Sequence, residues 1–193
     1  MKVFGIGFQR TGTTSLGKAL NALGIRTLDC PKQLWYDLDD PVIQEFDGFT
    51  DNPVPLLYRD LDARHPGAKF VQTIRAEEAW LSSVEWLFTV GAEKFNWRTK
   101  EHFNEFHRAL YGRTDFDPDV FLAAYRRHNA AVVDYFRDRP GDLLVMDVTQ
   151  GDSFDKLCPF LGVPVPADDF PTWNRRESRL KVRLRRWWGR LRR

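Results

Sequence analysis

One stretch limits the fold of this chain more than any other: Gly7-Phe8-Gln9-Arg10-Thr11-Gly12-Thr13-Thr14-Ser15-Leu16. The residues leading into it, "VFGIG" (3–7), are apolar, rich in β-formers and glycine, and read as a buried strand. After it the period changes. Leu16, Leu20 and Leu23 recur at helical spacing, and Gly24 follows as a stop signal. Strand, glycine turn and helix form one unit, and the same alternation continues downstream. "KFVQTI" (69–74) is a second apolar strand, followed by a helix with Trp80, Val84, Leu87 and Phe88 on one stripe and Glu77 and Glu78 in its first turn. "LLVMDV" (143–148) is a third strand. A helix striped by Phe121, Tyr125, Val132 and Tyr135 precedes it, and one with Phe154, Leu157 and Leu161 follows it, ending at Gly162. Residues 96–118 read as helix and loop with no packing partner assigned. Apolar strands alternating with amphipathic helices predict an α/β chain with a central parallel sheet and helices on both faces. Ligands of such sheets bind at the carboxyl ends of the strands, where the glycine turn, Arg75 and Asp147 are expected to meet.

The glycine turn is a phosphate-binding loop in outline, which makes the expected three-layer fold P-loop-like. Backbone N–H groups and a helix N-terminus would face an anion, and glycine permits φ > 0 and close approach. Nucleotide-triphosphate loops continue with Lys on the outer phosphates and Ser/Thr on magnesium. Here Gly12 is followed by Thr13-Thr14, and the loop's cation is Arg10. A guanidinium is always charged and grips two oxygens at once. A terminal sulfuryl group carries less negative charge than a terminal phosphoryl, so it needs less neutralisation and no metal.

Bulk composition narrows the classes further. A chain of 193 residues is long enough for one domain with a substantial core. No apolar run approaches the ~18 residues of a membrane span, and "MKVFGIG" is too short and glycine-rich for a secretory signal. Cys30 and Cys158 lack metal-ligand spacing and fit a reduced, cytoplasmic setting. The net charge of +2 conceals a division, because residues 175–193 carry +9 and the first 174 residues −7. The expected organisation is an α/β domain over 1–174 and a basic amphipathic tail over 175–193.

Two motifs carry a resemblance. "RTGTTSL" (10–16) resembles the 5′-phosphosulfate loop of the PAPS-dependent sulfotransferases, in the form of the short bacterial-type enzymes with Arg in the loop. "TIRAEEAWLSSV" (73–84) resembles their 3′-phosphate segment, a strand ending in Arg with Ser eight residues later. "LLVMDVTQGDSFDKLCPFLGVPVP" (143–166) is a weaker match to their late strand, helix and turn. The resemblance implies transfer of a sulfuryl group from PAPS (3′-phosphoadenosine 5′-phosphosulfate) to a hydroxyl or amine, with PAP as product and no metal. It implies that Arg10, Thr11, Gly12, Thr13 and Thr14 hold the 5′-phosphosulfate. Arg75 and Ser83 would hold the 3′-phosphate, helped by Arg176 of the Arg175-Arg176 pair. The rival readings of these residues are a plain glycine turn, an Arg75 ion pair and an ordinary helix serine.

A base must take the acceptor's proton. Asp51, in "FTDNPVP" ahead of a proline-started helix, is preferred; its rival role is a helix N-cap. Asp29, after a short strand, is a fainter candidate, and none of His65, His102, His107 and His128 can be assigned. Trp35, Trp80, Trp86 and Trp97 suit an aromatic acceptor pocket or simply the core. In "RLKVRLRRWWGRLRR" (179–193), Leu180, Leu184, Trp187 and Leu191 share one face among arginines. That pattern fits a helix on an anionic membrane surface, peripheral to the inner face, with a small-molecule or lipid-like acceptor within reach. Packing on the acidic body is the alternative, and nucleic acid is not the expected partner. Two other functions remain open at this point. One is a P-loop small-molecule kinase or nucleoside triphosphatase, with Asp147 on magnesium. The other is a non-catalytic nucleotide-binding membrane adaptor.

Overall fold

The computed structural model describes residues 1–172. Arg175, Arg176, the segment 179–193 and the expected boundary at 174/175 lie outside the described residues.

Five strands form the sheet: β1 (Val3–Gly5), β2 (Thr27–Asp29), β3 (Gly48–Thr50), β4 (Lys69–Thr73) and β5 (Leu143–Met146). The helices are α1 (Thr13–Ala22), α2 (Val42–Glu45), α3 (Val54–Arg64), α4 (Glu77–Phe88), α5 (Val90–Lys94), α6 (Glu101–Tyr111), α7 (Pro118–Tyr135) and α8 (Phe154–Leu161). Strand order is β2-β3-β1-β4-β5, and every pairing is parallel. The chain is therefore the α/β protein with a central parallel sheet that its periodicity predicts. β2 and β3 have no period to read, because each spans three residues.

Alternation along β1 divides the core. Phe4 lies on one face, stacked against Phe49 at 5.7 Å and Phe70 at 5.4 Å between ring centroids, and α3 and α7 cover it with Leu57, Leu61, Val132 and Phe136. Val3, Val71 and Met146 lie on the other face, beneath Leu16 and Leu20 of α1 and Leu157 and Leu161 of α8. Helices thus close both faces, which is what buries a parallel sheet. A third cluster lies with the segment just after β1 and with α4–α7, where Phe8 meets Trp80, Tyr111 and Tyr125, and Phe88 and Phe121 pack beside them. Residues 96–118 belong to it through α6, whose Phe106, Leu110 and Tyr111 are buried.

The connection from β1 leads towards β2 on one side, and the connection from β4 leads towards β5 on the other. Adjacent strands whose connections part in this way leave a crevice at their carboxyl ends. The glycine turn follows β1 and Arg75 follows β4, so both occupy that crevice. Among the described residues no helix is long and apolar enough to cross a membrane.

Candidate functional site

A cavity of about 520 Å³ opens at the carboxyl ends of the strands. Its first wall is the glycine turn. Gly7 is required because a Cβ there would come within 2.2 Å of the Thr73 hydroxyl and 2.3 Å of the Thr73 carbonyl on β4. Gly12 has φ 113°, and a Cβ on it would strike Val148 at 2.2 Å. That conformation starts α1 at Thr13 with no capping side chain among the described residues. The first N–H groups of a helix have no acceptor within it. Here Gly12, Thr13, Thr14 and Ser15 all line the cavity, so this end of α1 presents a donor-rich surface with a partial positive charge.

Arg10 also has positive φ, 72°, which is strained for a side-chain-bearing residue. The loop holds it there from several directions. Trp80 Nε1 donates to the Gln9 carbonyl at 3.0 Å, and Arg75 donates to the Arg10 carbonyl at 3.3 Å. The Arg10 guanidinium turns towards α4: Nε donates to Ser83 Oγ at 3.0 Å, and the Trp86 ring lies 5.5 Å away. The Arg75 backbone is pinned in turn by Tyr125, whose hydroxyl accepts from Arg75 N–H at 2.8 Å and donates to Arg75 C=O at 2.9 Å. Arg10, Arg75 and Ser83 thus form one connected cluster on the cavity wall, joined by Ser82.

Thr11 departs from its expected place. Its hydroxyl is fully buried and donates to Phe8 C=O at 2.6 Å while meeting Thr73 Oγ1 at 2.6 Å, and its N–H also faces Phe8 C=O. It ties the loop to β4 and does not line the cavity. Thr13, by contrast, donates its hydroxyl to Asp51 Oδ2 at 3.1 Å.

Asp51 faces the loop across the cavity from the end of β3. It is not a helix cap: α3 starts after Pro53 with no capping side chain, while Asp51 Oδ1 accepts from Asn52 N–H. Its carboxyl is pushed up to about 6, first by burial and then by the nearby Asp29 carboxylate. The hydrogen bonds from Asn52 and Thr13 and the charge of Arg10 oppose the rise. Asp29 itself is raised by burial, but its Oδ1 accepts from Thr50, and it does not line the cavity.

The far wall is aromatic and comes from the α4–α6 segment: Leu87, Phe95, Trp97, Phe103 and His107. Trp80 lies in the core and Trp35 packs edge-on against Phe106, so of the four tryptophans suggested by the sequence Trp97 alone lines this space. His107 was not assignable from sequence; its signal is a histidine set in the apolar stripe of Phe103, Phe106, Leu110 and Tyr111. Asp147, the residue that supports the kinase reading, is engaged locally, its Oδ1 accepting from both Thr149 N–H at 2.9 Å and Thr149 Oγ1 at 2.6 Å. Among the described residues no group of three His, Cys, Asp or Glu could hold a metal ion.

With this geometry established, two comparisons bear on the chain. A family model described as a sulfotransferase domain matches residues 2–43 and 36–179. A curated relative from Aspergillus versicolor, named Ava biosynthesis cluster protein M, is 24% identical over 231 aligned positions, covering 100% of this chain and 88% of the relative.

Proposed function

We propose, from the premise that this chain belongs to the sulfotransferase domain family, that it moves a sulfuryl group from PAPS to a hydroxyl or amine acceptor by in-line displacement. The observation carrying this reading is the convergence of the uncapped start of α1, Arg10, Arg75 and Ser83 on one cavity. A donor with anionic groups at two places needs two sets of cations and hydroxyls within one crevice. The donor set fits it: two guanidinium groups, several hydroxyls and the helix N–H groups, around glycines that allow a close approach.

PAPS supplies the transferable sulfuryl group and a phosphate leaving group. The residues divide the remaining work. The N-terminal N–H groups of α1, including those of Thr13 and Thr14, and the Thr14 hydroxyl face the 5′ end, where charge grows on the leaving phosphate and preset donors stabilise it. Arg75 and Ser83 serve the 3′-phosphate. Arg10 adjoins both groups, because its backbone belongs to the loop and its guanidinium reaches Ser83. Asp51 is the base. Its carboxyl is pushed up to about 6, towards the range in which a general base works best, and Thr13 holds one of its oxygens. The aromatic wall receives the acceptor.

Two results test this reading. Full-length protein incubated with 35S-labelled PAPS and an extract of cellular lipids and small metabolites should yield a labelled product. A non-catalytic adaptor predicts none, and a kinase predicts none from PAPS but a labelled product in a parallel incubation with γ-32P-labelled ATP and magnesium. Second, Arg75→Ala should weaken PAP binding by about 10–100-fold in calorimetry, the loss of a charge-assisted contact. Unchanged affinity would remove Arg75 from the site.

The basic segment 179–193 supports a further proposal on partners: it attaches the enzyme to an anionic membrane surface. Arginines near such a surface contribute about 1 kcal/mol each. Full-length protein should pellet with phosphatidylserine-containing vesicles at low salt, and protein ending at Ser178 should stay in the supernatant. Equal pelleting of both forms would refute the attachment.

A further inference from the structure

Two side chains on the cavity wall are buried in a way that the transfer chemistry alone does not use. Asn52 and His107 are each 2% exposed, and both line the cavity. Among the described residues, Asn52 Oδ1 and His107 Nδ1 have no hydrogen-bond partner. Buried polar atoms without partners are rare, because each gives up its hydrogen bonds to water and gains none in return. Their neighbours Gln9 and Tyr111 are hydrogen-bonded to one another, and Gln9 also to the Asn52 amide nitrogen. Asn52 Nδ2 donates to Gln9 Oε1 at 3.1 Å, and Gln9 Nε2 donates to Tyr111 OH at 3.2 Å. The chain of hydrogen bonds thus runs Asn52–Gln9–Tyr111, orients the Asn52 oxygen away from Gln9, and stops short of His107, whose ring lies 6.2 Å from that of Tyr111.

The imidazole is held by rings rather than by polar atoms. Trp97 meets it edge-on at 4.5 Å, and Phe88 lies tilted at 4.5 Å. Burial pushes His107 down to about 3, so it is neutral at any physiological pH. A neutral imidazole this weakly basic does not compete with Asp51 for the acceptor's proton, but it does form directional hydrogen bonds. Asn52 is the residue after Asp51, and His107 belongs to the wall formed with Trp97 and Phe103, so the two unpartnered atoms line the same cavity.

We propose that the acceptor is an aromatic molecule with at least two hydrogen-bond donors, one hydroxyl presented to Asp51 and another group read by His107 and Asn52. The chemical class is a dihydroxylated or polyhydroxylated aromatic, rather than a long-chain alcohol. The proposal rests on the sulfotransferase reading. The flat walls of Trp97 and Phe103 take the ring face. The two buried polar atoms make the site selective, because an acceptor lacking the second group leaves them unsatisfied while bound.

The test uses full-length protein saturated with PAP, titrated in a calorimeter with phenol, catechol and resorcinol, and with 1-octanol as the lipid-like alternative. At least one of the two diols should bind about tenfold or more tightly than phenol, in line with one or two satisfied hydrogen bonds. Octanol should bind more weakly than that diol. His107→Phe, which keeps the ring and its packing, should erase the diol preference while PAP affinity stays at the wild-type value. His107→Asn, which restores a polar atom near the Nδ1 position, should recover part of it. Diols and phenol binding alike in the wild type, a preference for octanol, or a diol preference that survives His107→Phe would each overturn the proposal. Should PAP itself fail to bind, the donor reading falls and this inference with it; PAP binding without a diol preference refutes this inference alone. The wild-type series stands without any variant, so poor folding of His107→Phe leaves the comparison decisive.

Discussion

Arg10→Ala should lower the rate of sulfuryl transfer at saturating PAPS by about a thousandfold or more. Removing one preset donor from a site of developing negative charge costs about 10²–10³ in rate. A guanidinium supplies full charge and two donors, so its loss belongs at or beyond the top of that range. The fold should survive, because Arg10 has φ 72° and alanine suffers the same backbone strain as arginine there. Arg10→Gly separates the two roles. It removes the cation but relaxes the loop, so it should be as inactive as Arg10→Ala and about 1 kcal/mol more stable. Arg10→Lys should recover a minor part of the rate, since an ammonium keeps the charge and loses the fork. Single-turnover transfer and thermal melts measure both quantities. An Arg10→Ala enzyme within tenfold of wild type would exclude Arg10 from the reaction.

Asp51→Asn should change activity and stability in opposite directions. Loss of a general base lowers the rate by about 10²–10⁴. The stability effect follows from the raised carboxyl of Asp51. Its value of about 6 in the fold exceeds the ordinary 3.8, so the folded state holds the proton more tightly. The associated stability is present below about pH 4 and is lost as pH rises through about 6. At pH 7.5 the folded protein therefore carries the whole cost of a buried carboxylate beside Asp29. Asparagine carries no charge and should raise stability by about 1–3 kcal/mol, or about 3–9 °C in Tm. The gain should shrink towards zero near pH 4. In the wild-type enzyme, kcat/KM should climb with pH along a limb centred near 6. A variant that is less stable than wild type at pH 7.5, or a rate limb absent from that region, would argue that Asp51 only supports the turn.

Several of these residues were legible before any coordinates. The glycine spacing reads as an anion-binding turn and the family resemblance adds Arg75 and Ser83 for a second anionic end; in the fold Arg10, Arg75 and Ser83 are hydrogen-bonded into one cluster. Long amphipathic helices such as α4 and α7 declare themselves by period, and β4 by its apolar run. Three-residue strands such as β3 do not, because Gly48-Phe49-Thr50 takes its conformation from pairing with β1 and β2. The side-chain directions were also hidden. Thr11 reads as a loop hydroxyl like its neighbours, yet β4 draws it inward through Thr73. Asp51 before Asn-Pro reads as a cap or a base, and its contact with Thr13, 38 residues earlier, is one that no local pattern shows. His107 was invisible as a site residue because an isolated histidine on an apolar helix face is usually packing. Its position on the cavity wall comes from α6 folding over the strand ends.

Isothermal calorimetry of the full-length protein with PAP and with AMP, both in excess EDTA, tests most directly whether the glycine turn and Arg75 grip one nucleotide at two anionic ends. PAP should bind without metal and at least tenfold more tightly than AMP, since AMP leaves Arg75 and Ser83 without a phosphate. Equal affinities, or binding that appears only when magnesium is restored, would contradict the two-ended grip.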